Sequence, residues 1–199
     1  MKQIIKSYNV SFLGRTGNGK SSLINAIFGS TLSTDPLVPC TKILSATTML
    51  SKDIARHNAI TAFDTPGIGE FSSAVPYQLY YEYAVSQSNC IVLVTTLDRT
   101  DAPAQRLLVS LKHFINERKH PKFIIALNHI DSKVTIGSVE DEVWNDSKNE
   151  PTKMRIEQIK ERINEINKKY SDKFMAFEIV PVCAKRNYGI NELKSKILK

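Results

Sequence analysis

Residues 10–29 read Val10-Ser11-Phe12-Leu13-Gly14-Arg15-Thr16-Gly17-Asn18-Gly19-Lys20-Ser21-Ser22-Leu23-Ile24-Asn25-Ala26-Ile27-Phe28-Gly29, and the rest of the chain is interpreted from this stretch. Residues 14–21 follow the pattern G-x-x-x-x-G-K-S of a phosphate-binding loop. The apolar run 10–13 predicts a buried strand that enters this loop. Apolar side chains at helical spacing over residues 23–28 predict a helix that leaves it, with Gly29 as its C-cap.

Each residue type in this loop has a physical reason if the loop binds phosphate. Successive backbone N–H groups and a helix N-terminus attract negative charge, and glycines let the backbone approach closely. Lys20 can reach the β- and γ-phosphates, and the Ser21 hydroxyl can ligate Mg²⁺. The alternative is a glycine turn with a lysine in solvent, which the flanking strand and helix disfavour. The predicted phosphate-contacting residues are Gly14, Arg15, Thr16, Gly17, Asn18, Gly19, Lys20, Ser21 and Ser22.

Composition limits the class of protein. The 199 residues are 42% hydrophobic and suit one domain with a full core. No apolar stretch approaches the roughly 18 residues of a membrane span, and the N-terminus lacks the features of a secretory signal. The three cysteines, Cys40, Cys90 and Cys183, have no metal or redox spacing. We therefore expect reduced thiols in a cytoplasmic protein.

The chain has a formal net charge of +7, with lysines concentrated in residues 153–173. A basic surface can meet RNA, a ribosome, anionic lipid or a protein partner. The more ordinary interpretation is a solvated helix face, because no aromatic residues are interleaved to stack on bases. A nucleotide-dependent dimer is left open.

Strand and helix patterns alternate along the chain. Strands are predicted at residues 10–13, 43–50, 59–63, 91–94, 123–127 and 177–182, and helices at 23–28, 77–85, 102–117, 154–170 and 189–198. The second and third strands form a predicted hairpin. Residues 30–42 are a predicted loop, and residues 132–152 contain a surface insertion or long loop. This order predicts an α/β fold in which helices flank a mostly parallel, six-stranded sheet.

Four motifs follow predicted strands. They are residues 14–21, 64–67 (Asp-Thr-Pro-Gly), 128–131 (Asn-His-Ile-Asp) and 183–185 (Cys-Ala-Lys). Because ligands of such sheets bind beyond the carboxyl ends of the strands, the four motifs should meet at one nucleotide site.

With these motifs in place, the chain resembles P-loop GTPases of the TrmE/Era superfamily, most closely the YfjP/YeeP-type GTPases. It shares with them the run GKSSLINA at residues 19–26, the pair Cys40-Thr41 and the pattern DxPGxGE at residues 64–70. The resemblance covers nearly the whole chain. It implies a single three-layer G domain spanning residues 1–199, which binds GTP or GDP together with Mg²⁺.

The resemblance assigns roles around the phosphates. Lys20, Thr41 and Gly67 would act on the γ-phosphate during catalysis, and Ser21, Thr41 and Asp64 would hold Mg²⁺. Thr47 and Thr48 compete with Thr41 for the role of the switch threonine. The loops at residues 30–42 and 67–76 would change order between the GTP and GDP states.

The resemblance also assigns base recognition. Asp131 would accept hydrogen bonds from guanine N1–H and the 2-amino group, which adenine cannot supply. Asn128 would tie this loop to the phosphate loop. His129 replaces the family lysine that covers the base, so it either stacks on the purine or points into solvent.

The Cys183-Ala184-Lys185 motif resembles the family's Ser-Ala-Lys. The Ala184 N–H would contact guanine O6, while Cys183 is a weaker hydrogen-bonding group than the family serine.

Hydrolysis is less directly indicated than binding. Ile68 stands where small signalling GTPases place a water-orienting glutamine, and Arg15, Glu70 and Arg99 are weak candidate helpers. The asparagine of potassium-activated relatives is shifted by one place to Asn18. The main prediction is a GTPase switch with slow hydrolysis. The alternatives are a non-catalytic guanine-nucleotide module for assembly on a ribosome, RNA or membrane surface, and, with less support, an ATPase or small-molecule kinase.

Overall fold

A six-stranded sheet forms the centre of the molecule, in the strand order β2-β3-β1-β4-β5-β8. The computed structural model describes residues 6–34, 43–51, 57–68, 75–97, 102–115, 121–132, 142–170 and 176–199. The strands of this sheet are β1 (Ser7–Gly14), β2 (Ser45–Leu50), β3 (Ala59–Asp64), β4 (Cys90–Thr96), β5 (Lys122–Asn128) and β8 (Phe177–Pro181). β2 pairs antiparallel with β3, and the other neighbours pair in parallel, which confirms the predicted sheet.

Helices cover both faces of the sheet. They are α1 (Lys20–Phe28), α2 (Val75–Gln87), α3 (Ala102–Leu111), α4 (Lys153–Tyr170) and α5 (Ile190–Leu198). Successive side chains of a strand point to opposite faces, and the two cores follow this alternation. On β4, Val92 packs in the cluster that contains side chains of α1 and α5, whereas Leu93 packs in the cluster of α2, α3 and α4. The molecule therefore has the predicted three layers.

Two details of the helices differ from the sequence prediction. The helix predicted at residues 102–117 is α-helical up to Leu111 and 3-10 helical over Lys112–Phe114, and the Phe114 side chain is exposed. Residues 116 and 117 lie outside the described part of the chain. In α4, the helical spacing of Ile156, Ile159, Ile163 and Ile166 predicts one inner face. Ile159 and Ile166 are buried, but Ile156 is exposed and Arg155 is buried in its place.

The segment expected as a surface insertion contains a small hairpin. β6 (Trp144–Asn145) pairs antiparallel with β7 (Glu150–Pro151). Val143 and Trp144 are buried in the core cluster of α4, so this part of the segment is anchored to the domain rather than lying loosely on it.

Among the described residues, no helix combines the length and apolarity needed to cross a bilayer.

Candidate functional site

The phosphate loop lies between β1 and α1, as its sequence predicts. Gly19 stands at the start of α1 with a left-handed φ of 84°, and a Cβ there would lie 2.4 Å from Asn128 Nδ2. Glycine is therefore required both by the backbone angle and by the close approach of a neighbouring loop. Lys20 is buried, and its ammonium donates to the Gly14 carbonyl at 3.2 Å. The lysine charge thus lies inside the loop, where a phosphate would meet it.

Asn18 anchors the phosphate loop to the sheet. Its side chain is buried, and its Nδ2 donates to the Val94 carbonyl on β4 at 2.8 Å. The Asn18 side-chain amide thus bonds the neighbouring strand, which gives this asparagine a structural use within the loop.

Ser21, in the first turn of α1, and Asp64, at the end of β3, come together. The Ser21 hydroxyl donates to Asp64 Oδ2 at 2.5 Å, and Asp64 is buried. A hydroxyl and a carboxylate are the hard oxygen ligands that Mg²⁺ takes from proteins beside nucleotide phosphates. The donor set therefore fits the predicted metal.

The loop after β3 lies directly against the phosphate loop. A Cβ on Gly67 would lie 2.6 Å from the Thr16 backbone nitrogen, so a larger residue does not fit. The Ile68 backbone N–H donates to the Gly14 carbonyl at 3.0 Å, and the Tyr81 hydroxyl of α2 donates to the Pro66 carbonyl at 2.7 Å. The Ile68 side chain is buried in the core, away from a role at the phosphates.

Asn128 joins three of the predicted motifs. It is fully buried at the end of β5, and its Nδ2 donates to the Asn18 carbonyl at 2.9 Å. Its Oδ1 accepts from the Ala184 backbone N–H at 3.3 Å. The expected link from Asn128 to the phosphate loop is present, and a second link reaches the loop after β8.

Asp131 and His129 flank the turn that follows β5. His129 has a left-handed φ of 56°, and its Nε2 would lie 2.9 Å from a Cβ on Gly19, so the imidazole stands close to the phosphate loop. The Asp131 side chain is 14% exposed, and its Oδ2 accepts from Arg186 Nε at 3.2 Å.

The loop after β8 is closed by its own backbone. The Cys183 N–H donates to the Tyr188 carbonyl at 3.0 Å, and the Tyr188 N–H donates back to the Cys183 carbonyl at 3.1 Å. Burial raises the pKa of the Cys183 thiol to about 12, and a side-chain hydrogen bond with Asp131 adds to this rise. The cysteine that replaces the family serine is thus a neutral thiol next to the carboxylate.

A cavity of about 600 Å³ opens where these loops meet. Its lining includes residues from α1, from the loop after it, and from the loops after β5 and β8: Ser22, Asn25, Ala26, Thr34, His129, Asp131, Ser132, Ala184 and Lys185. The volume and the ring of polar groups suit a purine nucleoside.

The remaining predicted residues either fall outside the described part of the chain or belong to the sheet. Thr41, Glu70 and Arg99 fall outside the described residues, as does most of the two predicted switch loops. Thr47 and Thr48 lie within β2, where the Thr48 hydroxyl meets Thr61 Oγ1 at 2.9 Å in the ladder with β3.

Two residues support the site in roles that were not predicted from the sequence. Asn25 holds the chain after α1, because its Oδ1 accepts from the Leu32 N–H and its Nδ2 donates to the Leu32 carbonyl, each at 2.8 Å. Arg155 is buried, and its Nη2 donates to the Ser132 carbonyl beside Asp131. A buried arginine in a lysine-rich helix gives no signal in a single sequence, and an asparagine inside a helix gives a weak one.

Comparison with known proteins agrees with this geometry. Residues 9–129 match the family model described as "50S ribosome-binding GTPase". GTPase Era of Campylobacter jejuni is 33% identical over 130 residues, which cover 64% of this chain and 41% of that protein. Cell division control protein 10 of Candida albicans is 37% identical over 71 residues, covering 32% and 20% of the two chains. The chain thus spans about two-fifths of the length of Era.

Solved structures share the fold. Era in complex with MgGDPNP and a piece of 16S ribosomal RNA superposes with a TM-score of 0.66 at 24% identity, over 98% of this chain and 57% of that one. Aquifex aeolicus Era bound to GDP·AlF4⁻ gives 0.65 at 24% identity, over 98% and 56%. NFeoB of S. thermophilus bound to GMPPNP gives 0.58 at 16% identity, over 96% and 60%.

Proposed function

Because the chain belongs to the family of 50S ribosome-binding GTPases and contains an Era-like P-loop GTPase domain, we propose that it binds GTP with Mg²⁺ and hydrolyses it slowly, as a nucleotide-dependent switch. The observation that carries the proposal is the position of Asn128. This buried side chain bonds both the phosphate loop and the loop after β8. It thereby holds the phosphate loop next to the loops that line the cavity proposed for the base.

Guanine is the proposed base. Asp131 lines the cavity, and its carboxylate can accept from N1–H and from the 2-amino group of guanine. The neighbouring Ala184 N–H would meet O6, and the His129 ring and the Lys185 stem would lie along the faces of the base. Adenine lacks this pair of donors and cannot make the two hydrogen bonds to Asp131, which disfavours ATP.

Ser21 and Asp64 are the proposed Mg²⁺ ligands, because their oxygens already lie within hydrogen-bond distance. When bound, the ion would neutralise the charge of the β- and γ-phosphates. Thr41 remains a predicted third ligand outside the described residues. Lys20 would donate to the phosphates in place of the loop carbonyls that it now bonds.

Slow hydrolysis is proposed because the buried Ile68 side chain cannot orient an attacking water molecule. The Gly67 N–H is the proposed donor to the γ-phosphate, and the water must be positioned by other groups or by a partner. The non-catalytic guanine-nucleotide module remains the second candidate, and the same observation on Ile68 favours it.

The test compares binding and single-turnover phosphate release with GTP and ATP. Lys20→Ala removes a charge-assisted donor and should weaken GTP binding by about 1.5–3 kcal/mol. The matched control is Lys122→Ala. Lys122 begins β5, at the opposite end of the strand from Asn128 and the site, and its Nζ donates to the Lys196 carbonyl. GTP binding without phosphate release would select the non-catalytic module. Equal affinity of the parent for ATP and GTP would contradict guanine recognition.

A ribosomal or RNA partner is proposed from the family description, the Era complex with 16S ribosomal RNA and the net charge of +7. Binding to a ribosomal RNA fragment should weaken steeply with salt if the basic residues meet phosphates. A protein partner on this surface, a nucleotide-dependent dimer and a cytoplasmic location remain predictions. The buried free thiols Cys90 and Cys183 are compatible with that location.

A further inference from the structure

The β6–β7 hairpin lies against the loop that follows β8, and one side chain of that loop connects them. Arg186 donates from Nε to Asp131 Oδ2 at 3.2 Å, and its Nη1 donates to Asp146 Oδ1 on the hairpin. The guanidinium carbon lies 4.8 Å from the centroid of the Trp144 ring, at cation–π distance. Arg186 is thus held by two carboxylates and one indole.

Further contacts fix the backbone of the same loop. Asn149 Nδ2 in the hairpin turn donates to the Arg186 carbonyl at 3.1 Å. Tyr188 packs edge-on against Trp144, with ring centroids 5.4 Å apart. The hairpin therefore holds both the side chain and the main chain of Arg186.

We propose that Arg186 is a positioning residue for guanine recognition, and that the β6–β7 hairpin sets its orientation through Trp144 and Asp146. This inference rests on the proposed function. Asp131 lines the cavity proposed for the base, and Arg186, which is not among the described lining residues, contacts this carboxylate at Oδ2. The family pattern has a serine at the position of Cys183. A thiol is a weaker hydrogen-bond donor to the Asp131 carboxylate than a hydroxyl, and Arg186 supplies a charged donor to the same carboxylate.

The geometry of the guanidinium explains why the hairpin matters. Arginine and a carboxylate readily form a bidentate pair, which would occupy both oxygens that guanine needs. Here Nε donates to a single Asp131 oxygen, Nη1 donates to Asp146, and the guanidinium carbon lies 4.8 Å from the centroid of the Trp144 ring. Arg186 therefore orients Asp131 through Nε, while Asp146 draws the rest of the guanidinium away from it.

The test measures affinities for GTP and ITP, which lacks the 2-amino group. Their ratio reports whether Asp131 is oriented for both guanine donors. Arg186→Ala should lower GTP affinity about tenfold or more, the effect of losing a charge-assisted contact, and should bring the GTP/ITP ratio toward one. Lys148→Ala is the control, because Lys148 pairs with Glu150 inside the hairpin. It should leave the ratio unchanged.

Asp146→Ala provides a second variant that does not threaten folding, because the Asp146 side chain is 80% exposed. It should also lower GTP affinity and the ratio, since Arg186 is then free to form the bidentate pair. In the Arg186→Ala background the same substitution should have no effect. Such non-additive effects on GTP affinity would show that Asp146 acts through Arg186 and not independently of it.

The inference is overturned if Arg186→Ala weakens GTP and ITP equally, which is the result of a purely structural role, or if the Arg186 and Asp146 effects add. These outcomes leave the proposed function intact, provided that the parent still prefers GTP to ATP. A parent with no such preference would instead overturn the proposed function, and this inference with it.

Discussion

Replacement of Asn128 by alanine tests the link that assembles the site. The side chain is fully buried and makes two hydrogen bonds, to the Asn18 carbonyl at 2.9 Å and from the Ala184 N–H at 3.3 Å. Alanine leaves both backbone groups without this partner. Because a buried group left unsatisfied costs about 1–3 kcal/mol and the second bond is long, the free energy of unfolding should fall by about 2–4 kcal/mol.

The effect on ligand binding should exceed what the loss of stability alone produces. Without the Asn128 side chain, the phosphate loop and the loop after β8 are no longer held to each other. Nucleotide binding must then order both loops, and the cost of that ordering lowers the binding affinity. Urea denaturation followed by circular dichroism gives the change in stability. Equilibrium titration with GDP, at a temperature where the variant is folded, gives the change in affinity.

Asn9→Ala is the matched control. Asn9 Nδ2 donates to the Gln87 carbonyl at 3.0 Å in a partly buried position near the start of β1, at the other end of the strand from the phosphate loop. This variant should lose about 1 kcal/mol of stability and keep its GDP affinity. If Asn128→Ala behaves like Asn9→Ala in both measurements, Asn128 does not hold the two loops together.

Two further predictions concern the loops after β3 and β8. Gly67→Ala should lose about 1–3 kcal/mol of stability, because the added Cβ meets the Thr16 backbone. It should also bind GTP and GDP more equally, because the clash displaces the Gly67 N–H that is the proposed donor to the γ-phosphate. Gly29→Ala, with a φ of 67° and open space around it, should cost about 1–2 kcal/mol and leave both affinities unchanged; equal behaviour of the two variants would contradict the steric argument. The Cys183 pKa of about 12 lies above its ordinary value, so the native state retains a proton that the unfolded state loses. The thiol's contribution is complete below pH 9 and is lost as the pH rises toward 12. Urea midpoints of the parent should therefore fall more steeply over this interval than those of Cys183→Ser, and parallel curves would refute the assignment.

The sheet and the convergence of the motifs could be predicted because both depend on local patterns. Short apolar runs in regular alternation with helical stretches indicate parallel strands, and each motif directly follows such a run. Parallel strands end at the same edge, so the placement of Asp64, Asn128 and Cys183 along one edge of the sheet follows from topology alone.

The residues that position the side chains of the site could not be predicted, because they act through contacts between distant parts of the chain. Asp131 and Arg186 are separated by 55 positions, and two-residue strands such as β6 and β7 are too short to show a period. The first turn of α4 shows the same limit. Helical spacing predicts that Ile156 faces inward, but Arg155 is buried instead and donates a hydrogen bond to the Ser132 carbonyl.

The central position of β1 affects how the chain acquires its structure. β1 pairs with β3 and β4, so this strand gains its neighbours only after residues 59–64 and 90–94 have been synthesised. Contacts between distant parts of a chain form slowly. The loop at residues 183–185 follows the other residues that line the cavity in the chain, so it is synthesised after them. A nucleotide can thus be enclosed only by a nearly complete domain, and its binding then shifts the equilibrium toward the folded chain.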